Sequence, residues 1–358
     1  MIFTRASFLT RFFSSLIWPL VTGDLNFSTT RLAGCSVNMK SRFFRAGALA
    51  FLLIVSACCS HGSTHSDAPK PLAKKKAPAT EPVVAFILPK PIEMPLWPGL
   101  PPNYVAGSDE GHDDGTGRYR NVGIPGMIVF LPPADRATGV AILYCPGGGY
   151  THLTNLMNGD GAPAEFLPQG IAVISLRYRL SPPSTHVADD ALADASQAMK
   201  LIRLHAAEWH IDPHRVGMLG ASAGANASLN LATHFTTNPN AIEDPLQDLH
   251  GSEGLPPISD RPDFVGLLSP WPNQLPLSSF PITDKCPPAF VCTASDDHTA
   301  PPAFARGIAA AYRAAGVPVS FWEVPTGGHA AFSIGGPGPG GVWAPRFSQW
   351  LQDRGFTK

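Results

Sequence analysis

Charge is scarce in this 358-residue chain. Only 15% of its residues are Asp, Glu, Lys or Arg, and the formal net charge is -1. With neither sign in excess and no basic stripe, the electrostatic footprint that nucleic acid requires is missing. Long hydrophobic runs are missing too. The apolar run 46–57 is about a dozen residues long, where a bilayer span needs about 20. The six cysteines fall at no spacing that makes a metal site or a disulfide framework. Of the three beyond the signal region, Cys286 and Cys292 are the nearest pair, but a straight strand at Cys292 opposes their closure. His210-Ile211-Asp212-Pro213-His214 offers a zinc-like spacing, yet Pro213 breaks the helix that would turn both rings to one face. Neither a metal nor a cofactor is expected. Internal repeats are absent. What is plentiful is apolar surface, at 44%, together with 38 Pro and 34 Gly, which implies many turns and rigid loops rather than disorder.

The first 85 residues do not read as part of a fold. Lys40, Arg42 and Arg45 precede the run 46–57, and small residues follow it, the make-up of a secretory signal. Val55-Ser56-Ala57-Cys58 resembles a bacterial lipobox, in which Cys58 is lipidated and becomes the mature N-terminus. Several acyl chains there would anchor the protein stably to a membrane. The alternative is an ordinary signal-peptidase cut and a soluble secreted or periplasmic protein. Met39 directly precedes the signal, so 1–38 is expected to be a misassigned upstream segment and 39–58 the signal. Residues 59–85, with Lys74-Lys75-Lys76, read as a semi-rigid solvated linker. The folded domain is expected over 86–356.

Within it, strand-like and helix-like stretches alternate, the signature of a mostly parallel sheet with helices on both faces. Strands are expected at 127–131, 140–144, 171–176, 216–219, 264–268, 289–292 and 319–324, in a sheet of about eight. Helices fit at 188–208, 223–234, 303–315 and 343–354. The first carries Ala191, Ala195, Ala198, Met199 and Ile202 on one stripe. Between the strands at 264–268 and 289–292, the stretch 270–288 offers fewer than 20 residues, too few for a substantial helical lid.

The run 216–219 leads directly into Gly220-Ala221-Ser222-Ala223-Gly224. A strand ending in Gly-x-Ser-x-Gly and opening into a helix puts the serine on a sharp turn with its hydroxyl clear of the backbone. Cys145-Pro146-Gly147-Gly148-Gly149-Tyr150 lies upstream, Asp296-Asp297 downstream, and Gly327-Gly328-His329 near the C-terminus. The order serine, acid, histidine is that of α/β-hydrolases. Ser222 needs a base, and His329, on a loop after the last strand, is the best placed of 12 histidines. Asp297 is taken as its acceptor because Asp297-His298-Thr299-Ala300-Pro301 resembles the Asp-x-x-Val-Pro turn of such enzymes. Asp296 is the alternative, and is otherwise read as capping the turn or the following helix. Oxyanion donors are expected at the amides of Ala223, Gly148 and Gly149. Tyr150, His152, Trp271 and Phe332 flank the expected site and are candidates to line an acyl or sugar pocket.

These motifs carry a family resemblance. Ile92-Glu93-Met94-Pro95-Leu96-Trp97-Pro98-Gly99, the Cys145–Tyr150 motif, Leu176-Arg177-Tyr178-Arg179-Leu180, Glu208-Trp209-His210-Ile211-Asp212-Pro213, Arg261-Pro262-Asp263-Phe264 and Gly327-Gly328-His329 resemble those of bacterial α/β-hydrolases related to feruloyl and acetylxylan esterases, over about residues 92–352. Hormone-sensitive-lipase-type esterases fit less well, because Pro146 stands where their His-Gly-Gly-Gly motif has histidine. The resemblance implies hydrolysis of acyl esters, acetyl or feruloyl-type, on carbohydrate; with the signal and the serine motif, the expectation is an exported serine esterase that needs no cofactor. The competing expectations are a non-catalytic sugar-binding lipoprotein of the same fold and a peptidase of the prolyl-oligopeptidase type.

Overall fold

The computed structural model describes residues 88–154, 161–235, 258–333 and 338–358. The signal, Cys58 and the linker expected at the N-terminus lie outside them.

Eleven strands are present among the described residues: β1 Ile92–Pro95, β2 His112–Asp113, β3 Arg118–Arg120, β4 Gly126–Phe130, β5 Ala141–Cys145, β6 Leu153–Thr154, β7 Ala172–Arg177, β8 Val216–Ala221, β9 Val265–Leu268, β10 Ala289–Ala294 and β11 Val319–Val324. Eight of them form one sheet in the order β1-β4-β7-β5-β8-β9-β10-β11. From β7 to β11 the pairing is parallel, while β1 and β4 run antiparallel at one edge. The remaining three form a small antiparallel sheet, β2-β3-β6. The helices are α1 Ala162–Phe166, α2 Val187–Leu204, α3 Ala223–His234, α4 Pro302–Ala314 and α5 Trp343–Asp353.

Period-two alternation along the strands splits the core into two layers. Ala141, Leu143 and Cys145 of β5 and Val216 and Met218 of β8 face α2, α3 and α4. Ile142, Val173, Leu219, Phe290 and Cys292 face α1 and α5. Phe347 of α5 anchors the second layer, with its ring 5.9 Å from Phe166, 6.2 Å from Phe264 and 5.4 Å from Phe290. A fully buried phenylalanine of this kind contributes about 3–5 kcal/mol relative to alanine. The stripe Ala191, Ala195, Ala198, Met199 and Ile202 is wholly buried, as its spacing requires.

Helix α2 stops at Leu204, earlier than the periodicity implies. The Ala206 amide bonds back to Arg203 O, a tighter turn than the α-helix, and His210 takes a φ of 55°, which no α-helix tolerates. The successive turns that result bury Trp209 and Ile211. Between β9 and β10 the only helical element is the short 3₁₀ turn Leu277–Ser279, so this connection carries no helical lid. Cys145, Cys286 and Cys292 are all buried and free.

Candidate active site

The parallel strands end together at one edge, and three loops converge there. The first is the serine turn. Ser222 sits between β8 and α3 at φ 55°, ψ -117°. Such a conformation costs of order 1–3 kcal/mol and persists only where surroundings dictate it. They do so here. The Ser222 amide donates to Leu268 O of β9 at 2.9 Å, and the Ser222 carbonyl accepts from Asn226 N and Trp271 N. A Cβ on Gly220 would lie 2.2 Å from Gly224 O, and one on Gly224 only 1.9 Å from Cys145 O. The motif therefore follows from the close crossing of β8, α3 and the end of β5.

The second loop is the glycine run after β5. Gly147 abuts Ser222, and Gly148 has a φ of 137° with His152 O where a side chain would begin. Tyr178, wholly buried, donates its hydroxyl to Pro146 O at 2.6 Å, and Ser181 N donates to Tyr150 O at 2.8 Å, so the loop is fastened from behind. The amides of Gly148 and Gly149 have no acceptor among the described residues. Ala223 is the first residue of α3, where the amide lacks an intrahelical partner.

The third loop carries His329, on a 3₁₀ turn after β11. Its Nε2 lies 2.8 Å from Ser222 Oγ, and its Nδ1 lies 2.8 Å from Asp297 Oδ2. The Asp297 side chain is fully buried, and its other oxygen accepts from Thr299 N and Ala300 N. Asp296 departs from expectation. It does not cap the following helix, which takes no side-chain cap. Instead its carboxylate reaches across to accept from Gly327 N at 3.2 Å and Gly328 N at 2.8 Å, which ties down the histidine loop. The Gly328 amide foremost holds the Asp296 carboxyl below its usual value.

The three loops enclose a cavity of about 580 Å³ whose wall includes Ser222, His329 and the glycine run. His152, Trp271 and Phe332 line it, as do Thr151 and Thr154. Tyr150 does not. Its left-handed backbone, at φ 61°, turns the ring inward, where its hydroxyl bonds to Asn226 Oδ1 and its edge meets Tyr178. Sequence reasoning missed the Tyr178 fastening, the reach of Asp296 and the wall residues Thr151 and Thr154. Only the doubled aspartate and the Leu176–Leu180 motif hinted at the first two.

A serine, an imidazole and a buried carboxylate in line at the C-terminal edge of such a sheet define the α/β-hydrolase class. The BD-FAE family model matches residues 127–255 of the chain. It is 29% identical over 248 residues to an acetylxylan esterase of Xylanibacter ruminicola, covering 64% of this chain and 47% of that protein. It is 26% identical over 230 residues to endo-1,4-beta-xylanase B of Butyrivibrio fibrisolvens, covering 58% of this chain and 34% of that protein. The chain thus spans less than half the length of these curated relatives. Among solved structures, an acetyl ester-xyloside bifunctional hydrolase from Caldicellulosiruptor lactoaceticus shares the fold at TM-score 0.59 and 24% identity, over 76% of this chain and 99% of that one.

Proposed function

We propose that this protein is a serine carboxylesterase that removes acetyl or similar acyl groups from carbohydrate. The observation that carries the reading is the continuous relay from Ser222 through His329 to Asp297, open on one side to the cavity. Ser222 Oγ attacks the ester carbonyl carbon as His329 Nε2 takes its proton. Asp297 orients the ring through Nδ1 and stabilises the imidazolium. The oxygen that becomes negative meets the amides of Ala223, Gly148 and Gly149. Collapse breaks the bond to the sugar oxygen, which leaves with the proton from His329. Water then repeats the cycle on the acyl-enzyme and releases the acid.

The mixed lining of the cavity supports the substrate class. Leu268, Trp271 and Phe332 contribute apolar surface suited to a short acyl chain. Thr151, His152 and Thr154 offer hydroxyls and an imidazole suited to a sugar. The short β9–β10 connection leaves room for esters projecting from a polymer. The names of the relatives, acetylxylan esterase and xylanase, fit that class. Lipidation at Cys58 would hold such an enzyme at the cell envelope, and its support is the lipobox pattern alone.

The test is Ser222→Ala. Turnover of p-nitrophenyl acetate is expected to fall about 10⁵–10⁶-fold, and labelling by a fluorophosphonate probe to vanish. A wild-type protein that the probe leaves unlabelled would instead be a binding relative of the fold. Retained activity in the variant would overturn the assignment of the nucleophile.

A further inference from the structure

The ester chemistry leaves one face of the small sheet without a role, and that face borders the cavity. Across β3 and β6, Arg118 stands opposite Thr154 and Tyr119 opposite Leu153. Across β2 and β3, Arg120 stands opposite His112. Residues directly opposite in an antiparallel pair share a face, and neighbours along a strand alternate. Leu153 is fully buried, so the face it shares with Tyr119 is the inner one. Arg118, Arg120, His112 and Thr154 therefore share the outer face. Thr154 lines the cavity and its hydroxyl donates to Gly147 O at 3.3 Å, which brings this face to the glycine loop.

Among the described residues this face carries unbalanced positive charge. Asp114 holds Arg120 at 2.6 Å and neutralises it. Arg118 is exposed and has no ion-pair partner among the described residues. Its influence extends to the cavity wall: partial burial, then the charges of Arg120 and Arg118, hold the His152 imidazole below its ordinary value, against the pull of Asp114.

We propose that Arg118 receives an anionic substituent, a carboxylate or a sulfate, on the sugar that bears the ester, so that the substrate is an acidic acylated polysaccharide. This rests on the esterase reading and narrows it. The planar guanidinium fork matches either anion with two parallel N–H bonds. The contact is exposed, so its contribution is modest and screened by salt.

The experiment compares acetylated xylo-oligosaccharides with and without a uronic acid branch, and with a sulfate in its place, on wild type, Arg118→Ala and Arg118→Glu. At low salt the wild-type kcat/KM is expected to favour an acidic substrate over the neutral one. That ratio should fall about threefold in Arg118→Ala and about tenfold in Arg118→Glu, and should shrink in 0.5 M salt. Whichever anion shows the effect names the substituent. Binding of the same oligosaccharides to Ser222→Ala, with and without Arg118→Glu, reads the preference without turnover. A ratio and a binding preference that ignore Arg118 would overturn the proposal while leaving an active esterase intact. An Arg118-dependent binding preference in a protein that hydrolyses no ester would sink the esterase reading and keep the anion site.

Discussion

The serine and the histidine stand 2.8 Å apart, yet they are held in opposite ways. The serine turn is fixed by contact. Main chain from β5, β8 and α3 crosses so closely that two glycines have no room for a methyl group. The histidine loop is fixed by charge. Glycines 327 and 328 have φ of 125° and 58°, no side chain of the loop before His329 packs against the sheet core, and two aspartates supply the restraint. Asp297 reaches the ring and Asp296 the main chain. Contact of the first kind is all-or-none, whereas restraint of the second kind is graded and responds to pH.

Removing the ring's acceptor should be the most costly way to test this contrast. Asp297→Asn keeps the shape but offers Nδ1 an amide, and kcat on p-nitrophenyl acetate is expected to fall about 10⁴-fold. A loss smaller than tenfold would move the acid role elsewhere, with Asp296 the first candidate. On the serine side, Gly224→Ala must displace either α3 or the end of β5, since the new Cβ meets the Cys145 carbonyl. A shift of about 1 Å at Ser222 is expected to cost about 10²-fold in kcat. Added atoms in a close-packed site also destabilise, typically by about 1–3 kcal/mol, so the melting temperature should fall with activity. Full activity in Gly224→Ala would mean the turn is softer than its contacts imply.

The same contrast explains what could be read from the chain. Steric necessity leaves a mark in sequence: Gly220, Ser222 and Gly224 are legible because other residues do not fit, and the buried strands because both their faces are apolar. The order of the elements and the place of Ser222 follow from such marks, whereas His329 and Asp297 are expected from chain order and a turn motif, with Asp296 as the alternative to Asp297. Restraint by hydrogen bonding leaves none. Asp296 could have capped its own helix, and only the path of the loop after β11 brings Gly327 and Gly328 to it. The small sheet was hidden for a related reason. Its strands are two or three residues long, and β6 joins β3 across more than thirty positions, so no local period announces it. Tyr150 illustrates a third limit. Its place beside the glycine run is evident, but its left-handed backbone, which decides where the ring points, is not a property of its residue type.

Asp296 offers the finest test of the comparison. Asp296→Ala removes both bonds to the histidine loop without touching Ser222, His329 or Asp297. A loop freed to sample other positions should lower kcat about tenfold, well short of the loss at Asp297. The pH dependence separates this from a general loss of packing. The carboxyl lies below its usual 3.8 because the Gly328 amide favours the ionised form. A group depressed on folding stabilises the native state above its unfolded value, and that contribution is lost as pH falls through the folded one. The melting temperatures of wild type and Asp296→Ala should therefore differ most near neutrality and converge as the pH drops below about 4. A difference that persists unchanged at pH 3 would show that Asp296 acts by shape rather than by charge, and the histidine loop would then be held by the same kind of restraint as the serine turn.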